Sequence, residues 1–369
     1  MTRRVICIDG ITGVGKSTAA KIIAGEIGGR VISGEDMWVE IFDKNDIVKS
    51  MDDLYKLLTS PAQKIAGIMK KLTPIFNKEI ENIADGEADT VIIDWTGISK
   101  SKLWTGADLR IVIESDEEKR IDHYTREGLK PCVVSREMAV NLGMAWIKTA
   151  NDAKRTADII LRNEYDTELN ETLRAVCDVI KQDLICIAAP CGSGKTTAAK
   201  ILRDYIGAQI YDNKKMRTAL HECGINAFVK PIDNKFTKNA FESIKHNPFF
   251  IRKFAEILRD ANADIVIADD FMINEFFQWR TAIARIYIAS DPTIRIDKFI
   301  DRQLKRGIVL DKHAETVAQR SLDTIYKKAQ ETADYVVFNN YDKAFAGDIE
   351  AIGAEIKSLG FKQTQPLRE

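Results

Sequence analysis

Short, unbroken apolar runs recur along this chain, separated by longer stretches of mixed polarity. Val5-Ile6-Cys7-Ile8, Val91-Ile92-Ile93 and Ile111-Val112-Ile113 are of the length and kind expected of parallel strands buried on both faces. Over the first half, the pattern predicts a strand at 4–9, a helix at 16–27 and a strand at 30–33. Helical segments then run to about 84, followed by strands at 90–94 and 109–114. Helices at 116–127 and 135–153, a strand at 157–162 and a helix at 167–181 complete it. Strands alternating with helices imply an α/β domain, a parallel sheet covered by helices.

The pattern then repeats. Ile6-Cys7-Ile8 and Gly15-Lys16-Ser17-Thr18-Ala19-Ala20-Lys21-Ile22 recur as Ile185-Cys186-Ile187 and Gly194-Lys195-Thr196-Thr197-Ala198-Ala199-Lys200-Ile201. Farther on, Ala88-Asp89 to Asp94 matches Ala263-Asp264 to Asp269. Trp104 matches Trp279, Arg110-Ile111 matches Arg285-Ile286, and Arg120-Ile121-Asp122 matches Arg295-Ile296-Asp297. Last, Thr156-Ala157-Asp158 with Asn163 and Tyr165-Asp166 returns as Thr332-Ala333-Asp334 with Asn339 and Tyr341-Asp342. A series in one order at nearly constant spacing reads as an internal duplication, with domains at 1–181 and 182–369. The join carries no Gly/Ser- or Pro-rich linker, so packed domains are expected.

Composition narrows the class. With 369 residues, the chain can bury two cores, and 45% hydrophobic with 30% charged residues is ordinary for a globular protein. Its 54 basic and 55 acidic residues leave no basic excess of the kind that marks nucleic-acid binders. No apolar run approaches the roughly 20 residues of a membrane span. Only four apolar residues precede the first Asp-Gly, too few for a signal sequence. The six cysteines show no CxxC pair and no metal-ligand spacing, as expected of reduced thiols in a cytoplasmic protein, host cytoplasm if the chain is viral.

Chemistry concentrates after the first strand of each half. Gly10-Ile11-Thr12-Gly13-Val14-Gly15-Lys16-Ser17 satisfies G-x-x-x-x-G-K-[ST] between a strand and a helix, the context a phosphate-binding P-loop needs. Its backbone N–H groups would cradle phosphate, Lys16 would reach the β- and γ-phosphates, and Ser17 would ligate Mg²⁺, with Thr18 next in the helix. The second half reads Ala189-Pro190-Cys191-Gly192-Ser193-Gly194-Lys195-Thr196, followed by Thr197. Here alanine replaces the first glycine, which is tolerable provided its φ is negative. Thr196 would be the second Mg²⁺ ligand, so both halves are expected to bind ATP and Mg²⁺.

A P-loop identifies nucleotide binding, not the reaction that the nucleotide serves. The order of parts in each half resembles the nucleoside monophosphate kinase group, in particular dephospho-CoA kinase and thymidylate kinase. The resemblance covers both halves, but only the P-loop is a specific motif. It implies two tandem P-loop kinase domains, each a parallel sheet flanked by helices with a helical acceptor-binding insert and a lid. It also implies that a carboxylate after the second strand lies near the acceptor hydroxyl, a role falling to Asp36 and Asp212. The same residues would equally suit a helix N-cap. Asp94 and Asp269 end hydrophobic strands beside the P-loop, where an acid holds Mg²⁺ through water or contacts the acceptor. Asp270 has no partner in the first half, where Trp95 stands.

Lid candidates are Arg120, Arg126 and Lys130 in one half and Arg295, Arg302, Lys305 and Arg306 in the other. Arg126 and Arg302, just ahead of Gly128 and Gly307, are favoured for closing on the transferring phosphoryl group. Trp104 and Trp279 suit core packing better than base stacking.

The segments between second and third strands should select the acceptor, and they differ. Residues 44–84 hold few aromatics, whereas 213–258 carry Phe228, Phe236, Phe241, Phe249 and Phe250. The expected acceptor is nucleotide-like: a nucleoside monophosphate, dephospho-CoA, or a 5-hydroxymethyluracil base in DNA as in viral kinases of the thymidylate kinase type. No membrane and no obligatory protein partner is expected. The rival readings are an ATP-driven switch acting on a protein, or one catalytic half with a regulatory or structural companion.

Overall fold

The computed structural model describes residues 4–34, 37, 41, 44, 53, 56–57, 59–85, 88–127, 134–211, 213–223, 244–269, 273–305, 307 and 326–359. The chain divides into two compact units, Met1–Cys177 and Asp178–Glu369.

In the first unit, β1 (Arg4–Asp9) leads through the Gly-rich loop into α1 (Lys16–Ile27) and β2 (Arg30–Ser33). The long α2 (Ala62–Ala84) then precedes β3 (Thr90–Asp94), the short α3 (Lys102–Gly106) and β4 (Leu109–Glu114). Next come α4 (Glu117–Glu127), α5 (Arg136–Lys154) and β5 (Ile159–Arg162), and then α6 (Glu168–Lys181), within which the division after Cys177 falls. Where the sequence predicted a bound, the structure falls within two residues of it, whereas α3 and the start of α2 at Ala62 were not predicted. The strands form one five-stranded parallel sheet in the order β2-β3-β1-β4-β5.

Burial explains the unbroken apolar runs. Ile6, Ile8, Ile92 and Ile111 are fully inaccessible, since helices cover the central strands on both faces. On one face, α2 presents Ile65, Met69, Leu72, Phe76 and Ile80 at helical spacing to the core. Phe76 stacks on Trp95, which meets Trp146 of α5 edge-on. The first-half core is thus aromatic around the residue that follows β3.

The second unit follows the same plan. Its elements begin with β6 (Asp183–Ala188), α7 (Lys195–Ile206), β7 (Gln209–Ile210), α8 (Asn213–Glu222) and α9 (Pro248–Asp260). They continue with β8 (Ile265–Ala268), α10 (Phe277–Thr281), β9 (Ala284–Ser290), α11 (Pro292–Leu304), β10 (Tyr335–Asn339) and α12 (Ala344–Ser358). The sheet order β7-β8-β6-β9-β10 is again parallel and equivalent to the first.

Matched polar pairs tie corresponding strands. Arg110 grips Asp158 through Nε and Nη2 at 3.0 and 2.6 Å, and Arg285 grips Asp334 the same way at 3.0 and 2.5 Å. The indole N–H of Trp104 donates to Thr156 Oγ1 at 2.9 Å, as that of Trp279 does to Thr332 Oγ1 at 2.9 Å. Both tryptophans are buried core residues whose polar edge is occupied. Among the described residues, no helix is long and apolar enough to cross a membrane.

Candidate phosphate-binding sites

In each sheet the first strand lies between the third and fourth, so strand order reverses beside it. Ligands of open α/β sheets bind outside the strand carboxyl ends at such a point. The Gly-rich loop leaves from there. Gly10, Gly13 and Gly15 have φ of 146°, 91° and 96°, which L side chains rarely adopt. A Cβ on Gly10 would stand 2.3 Å from the carbonyl oxygen of Ile113, and one on Gly15 would stand 2.6 Å from Asn163 Nδ2. Both glycines are therefore required by space as well as by dihedral.

Three side chains hold the loop's carbonyls outward. Asn163 Nδ2 donates to Val14 O at 2.8 Å, Tyr165 Oη to Gly13 O at 2.8 Å, and Thr96 Oγ1 to Gly10 O at 2.9 Å. Tyr165 itself sits at φ 61°, with its N–H bonded to Asn163 Oδ1. The second half reproduces the clamp: Asn339 Nδ2 donates to Ser193 O at 2.9 Å and Tyr341 Oη to Gly192 O at 3.2 Å, with Tyr341 also at φ 61°. Asn163, Tyr165, Asn339 and Tyr341 belong to the sequence repeat, yet nothing in their local pattern marks them as loop clamps. Only the sheet brings the fifth strand's end to the first strand's loop.

Lys16 is 3% exposed, and its Nζ donates to the carbonyl of Ile11 at 3.3 Å. Among the described residues it pairs with no carboxylate. A buried ammonium with a neutral partner calls for an anion, so a triphosphate fits this loop. In the second loop Lys195 Nζ reaches the carbonyls of Ala189 at 2.6 Å and Pro190 at 3.5 Å. Ser17 is partly exposed and Thr18, Thr196 and Thr197 are exposed at their helix starts, where the first-turn N–H groups point outward. Ile11, Thr12, Gly192, Ser193 and Gly194 complete the two loops, with Gly192 and Gly194 at φ 90° and 96°. Among the described residues, the non-glycines with positive φ are Tyr165, Asn262 and Tyr341, so Ala189 keeps a negative φ. The alanine at the first position therefore distorts nothing there.

The strand-end acids lie beside the loops. Asp94 pairs in register with Ile8, two residues before Gly10, and is fully buried; Asp269 follows β8 and is 4% exposed. A further buried acid, Asp9, belongs to no motif that the sequence displays. Asp9 accepts from the N–H groups of Gly10 at 2.7 Å, Gly97 at 3.1 Å and Ser99 at 3.0 Å. Burial raises its pKa above the ordinary aspartate value, against the opposing pull of these hydrogen bonds. Ala188 occupies the corresponding place in the second half.

The lid candidates divide into an exposed pair, Arg126 and Arg302, and a buried pair, Arg120 and Arg295. Arg126 is exposed and turns back to the carbonyl of Asp122 in its own helix at 3.1 Å. Arg302 is exposed and stands over the Phe299 ring at 5.4 Å. Arg120 is the fully buried one: its Nη1 donates to Thr12 O at 3.3 Å and Ala139 O at 3.2 Å, joining loop to α5. A Cβ on Gly143 would stand 2.3 Å from its Nη2. Arg295 is 2% exposed, and its backbone oxygen would be 2.5 Å from a Cβ on Gly192. The arginine in the first turn of α4 and of α11 packs on the loop, whereas the arginine one to two turns later, Arg126 or Arg302, faces solvent. Lys305 is exposed. Asp36, Asp212, Asp270, Gly128, Lys130 and Arg306 lie outside the described residues, as do Phe228, Phe236 and Phe241.

No family model and no curated sequence matches this chain. Among solved structures, TT1252 from Thermus thermophilus is 18% identical over 49% of this chain and 97% of its own, with a TM-score of 0.36. Deoxyadenosine kinase from M. mycoides is 14% identical over 47% of this chain and 99% of its own, at 0.29. Shikimate kinase from Bacteroides thetaiotaomicron is 13% identical over 46% and 94%, also at 0.29. At TM-scores below 0.5, none of these likenesses bears on chemistry.

Proposed function

We propose that the chain is an ATP-dependent phosphotransferase moving the γ-phosphate to a hydroxyl or phosphate oxygen of a nucleotide-like acceptor. The observation that carries this reading is Lys16, a buried cation in a loop of inward N–H groups, with buried Asp94 at the end of the adjoining strand. A buried cation in the loop and a buried acid at the end of the adjoining strand suit phosphoryl transfer, where catalysis is positioning and charge stabilisation.

The acceptor oxygen would bond to the γ-phosphorus while the bond to the β,γ-bridging oxygen breaks, leaving ADP. An acceptor hydroxyl's proton would pass to a carboxylate, for which Asp36 and Asp212 are proposed. Lys16 and Lys195 would balance charge on the transferring group. Mg²⁺ supplies further charge neutralisation when bound, held by Ser17 or Thr196, with Asp94 or Asp269 through water. Arg120 and Arg295 are placed to keep loop and helix together rather than to sweep in from solvent.

A second reading, one working half and one supporting half, draws on the differences at the loops. The first half has Asp9 and a glycine at the loop's first position; the second has Ala188 and Ala189.

The test is γ-phosphate transfer from labelled ATP to nucleoside monophosphates, dephospho-CoA, and DNA with and without 5-hydroxymethyluracil. Lys16→Ala and Lys195→Ala proteins should each lose transfer in their own half. Loss in only one supports the second reading, and no transfer to any acceptor by the wild-type chain overturns the kinase reading.

A further inference from the structure

The hydroxyls of Tyr165 and Tyr341 clamp the loops of their own halves, and each tyrosine ring carries a basic side chain on it. In the first half His123 of α4 stacks on Tyr165, with ring centroids 4.4 Å apart and planes inclined by 29°. In the second half Lys298 of α11 holds its Nζ 5.8 Å from the centroid of the Tyr341 ring. His123 and Lys298 occupy one position of the repeat, three residues after the buried Arg120 and Arg295. The clamp is duplicated, but the charge resting on it is not.

A lysine is a cation throughout the ordinary pH range, whereas histidine is the residue type that gains its charge as pH falls from about 8 to 5. A cation over a ring face is attracted by the ring's π density and pins the ring. It also polarises the phenol, whose O–H then donates more strongly. Burial raises the pKa of both tyrosines above the ordinary phenol value, so each stays a protonated donor.

The surrounding charges leave that difference standing. Arg120 and Arg295 oppose the burial of the two phenols alike. Lys119, one turn before His123, is bonded to Glu164 Oε2 at 2.5 Å, and Arg126, one turn after it, bonds within its own helix. In the second half Ile294 and Asn340 stand where the first has Lys119 and Glu164, and Asp301 and Arg302 follow Lys298 by one turn. Asp166 and Asp342, next to the tyrosines in sequence, accept from the backbone N–H groups of Glu168 at 2.9 Å and Ala344 at 3.0 Å.

We infer that the side chain at 123 and 298 is a positioning residue for nucleotide binding, acting through the clamp tyrosine. Its charge sets how firmly each loop is held, constant in the second half and dependent on proton uptake in the first. The inference rests on the reading that both loops bind a triphosphate.

The test is the pH dependence of each loop's binding in the full chain. Lys195→Ala leaves the first loop to be read and Lys16→Ala the second, by calorimetric titration with a non-hydrolysable ATP analogue at about pH 8 and pH 5.5. Protonation of the analogue weighs on both loops, so the difference between them is the readout. From the higher to the lower pH, first-loop affinity should gain about two- to fivefold relative to the second. His123→Lys should remove that gain and Lys298→His should confer it on the second loop, whereas a merely packing role would move neither. Equal pH dependence of the two loops overturns the inference, as does a gain that survives His123→Lys or a second loop indifferent to Lys298→His. If neither loop binds the analogue at either pH, the triphosphate reading falls and this inference with it.

Discussion

The side-chain amide of Asn163 donates to the carbonyl of Val14 at 2.8 Å across the whole first unit, and Asn339 does the same for Ser193 at 2.9 Å. These bonds turn a loop carbonyl away from the space its N–H groups enclose. Asn163→Ala should lower stability by about 1–2 kcal/mol, the usual cost of stranding a buried acceptor. It should also weaken binding of a non-hydrolysable ATP analogue to the first loop several-fold. Denaturant unfolding and calorimetry of the single variant would check both.

The two loops differ at their first position in a way that makes opposite substitutions unequal. Gly10 has φ 146° and no room for a Cβ beside Ile113 O, whereas Ala189 has a negative φ. Gly10→Ala is expected to cost about 1–3 kcal/mol and to abolish nucleotide binding by the first loop. Ala189→Gly should leave the second loop's affinity within about twofold, since only chain flexibility changes. Equal effects in a binding titration would contradict this.

Arg120 and Arg126 lie on different faces of α4 and should behave as different kinds of residue. Arg120→Ala removes a fully buried side chain and two hydrogen bonds, with an expected loss of about 2–4 kcal/mol. Arg126→Ala removes an exposed one and should stay within about 0.5 kcal/mol of wild type. Urea midpoints of the two variants decide the point.

Asp9 predicts a pH dependence of defined sign. Burial raises its pKa above the ordinary aspartate value, so over that window the folded chain holds a proton the unfolded chain has lost. Stability falls with pH where the native state binds more protons. The unfolding free energy of wild type minus that of Asp9→Asn should therefore decline as pH rises from about 4 through the raised pKa, then level off. A difference that grows over that interval would show a carboxylate stabilised in its charged form instead.

What the sequence alone determined was whatever is local or periodic. Unbroken apolar runs at Val91-Ile92-Ile93 and Ile111-Val112-Ile113 announce parallel strands because a strand buried on both faces has no polar side. The Gly-rich loops announce themselves because a backbone that must turn with positive φ leaves glycine little competition. The paired series, from Lys16 and Lys195 to Asp158 and Asp334, made one fold written twice the natural reading. What only the tertiary structure decided was which distant residues share a space. Asn163 and Tyr165 follow the last strand of the unit, yet sheet order lays that strand's end beside the loop after the first. Arg120 and Arg126 look alike in a basic helix, but helical phase turns one onto Thr12 and the other to solvent.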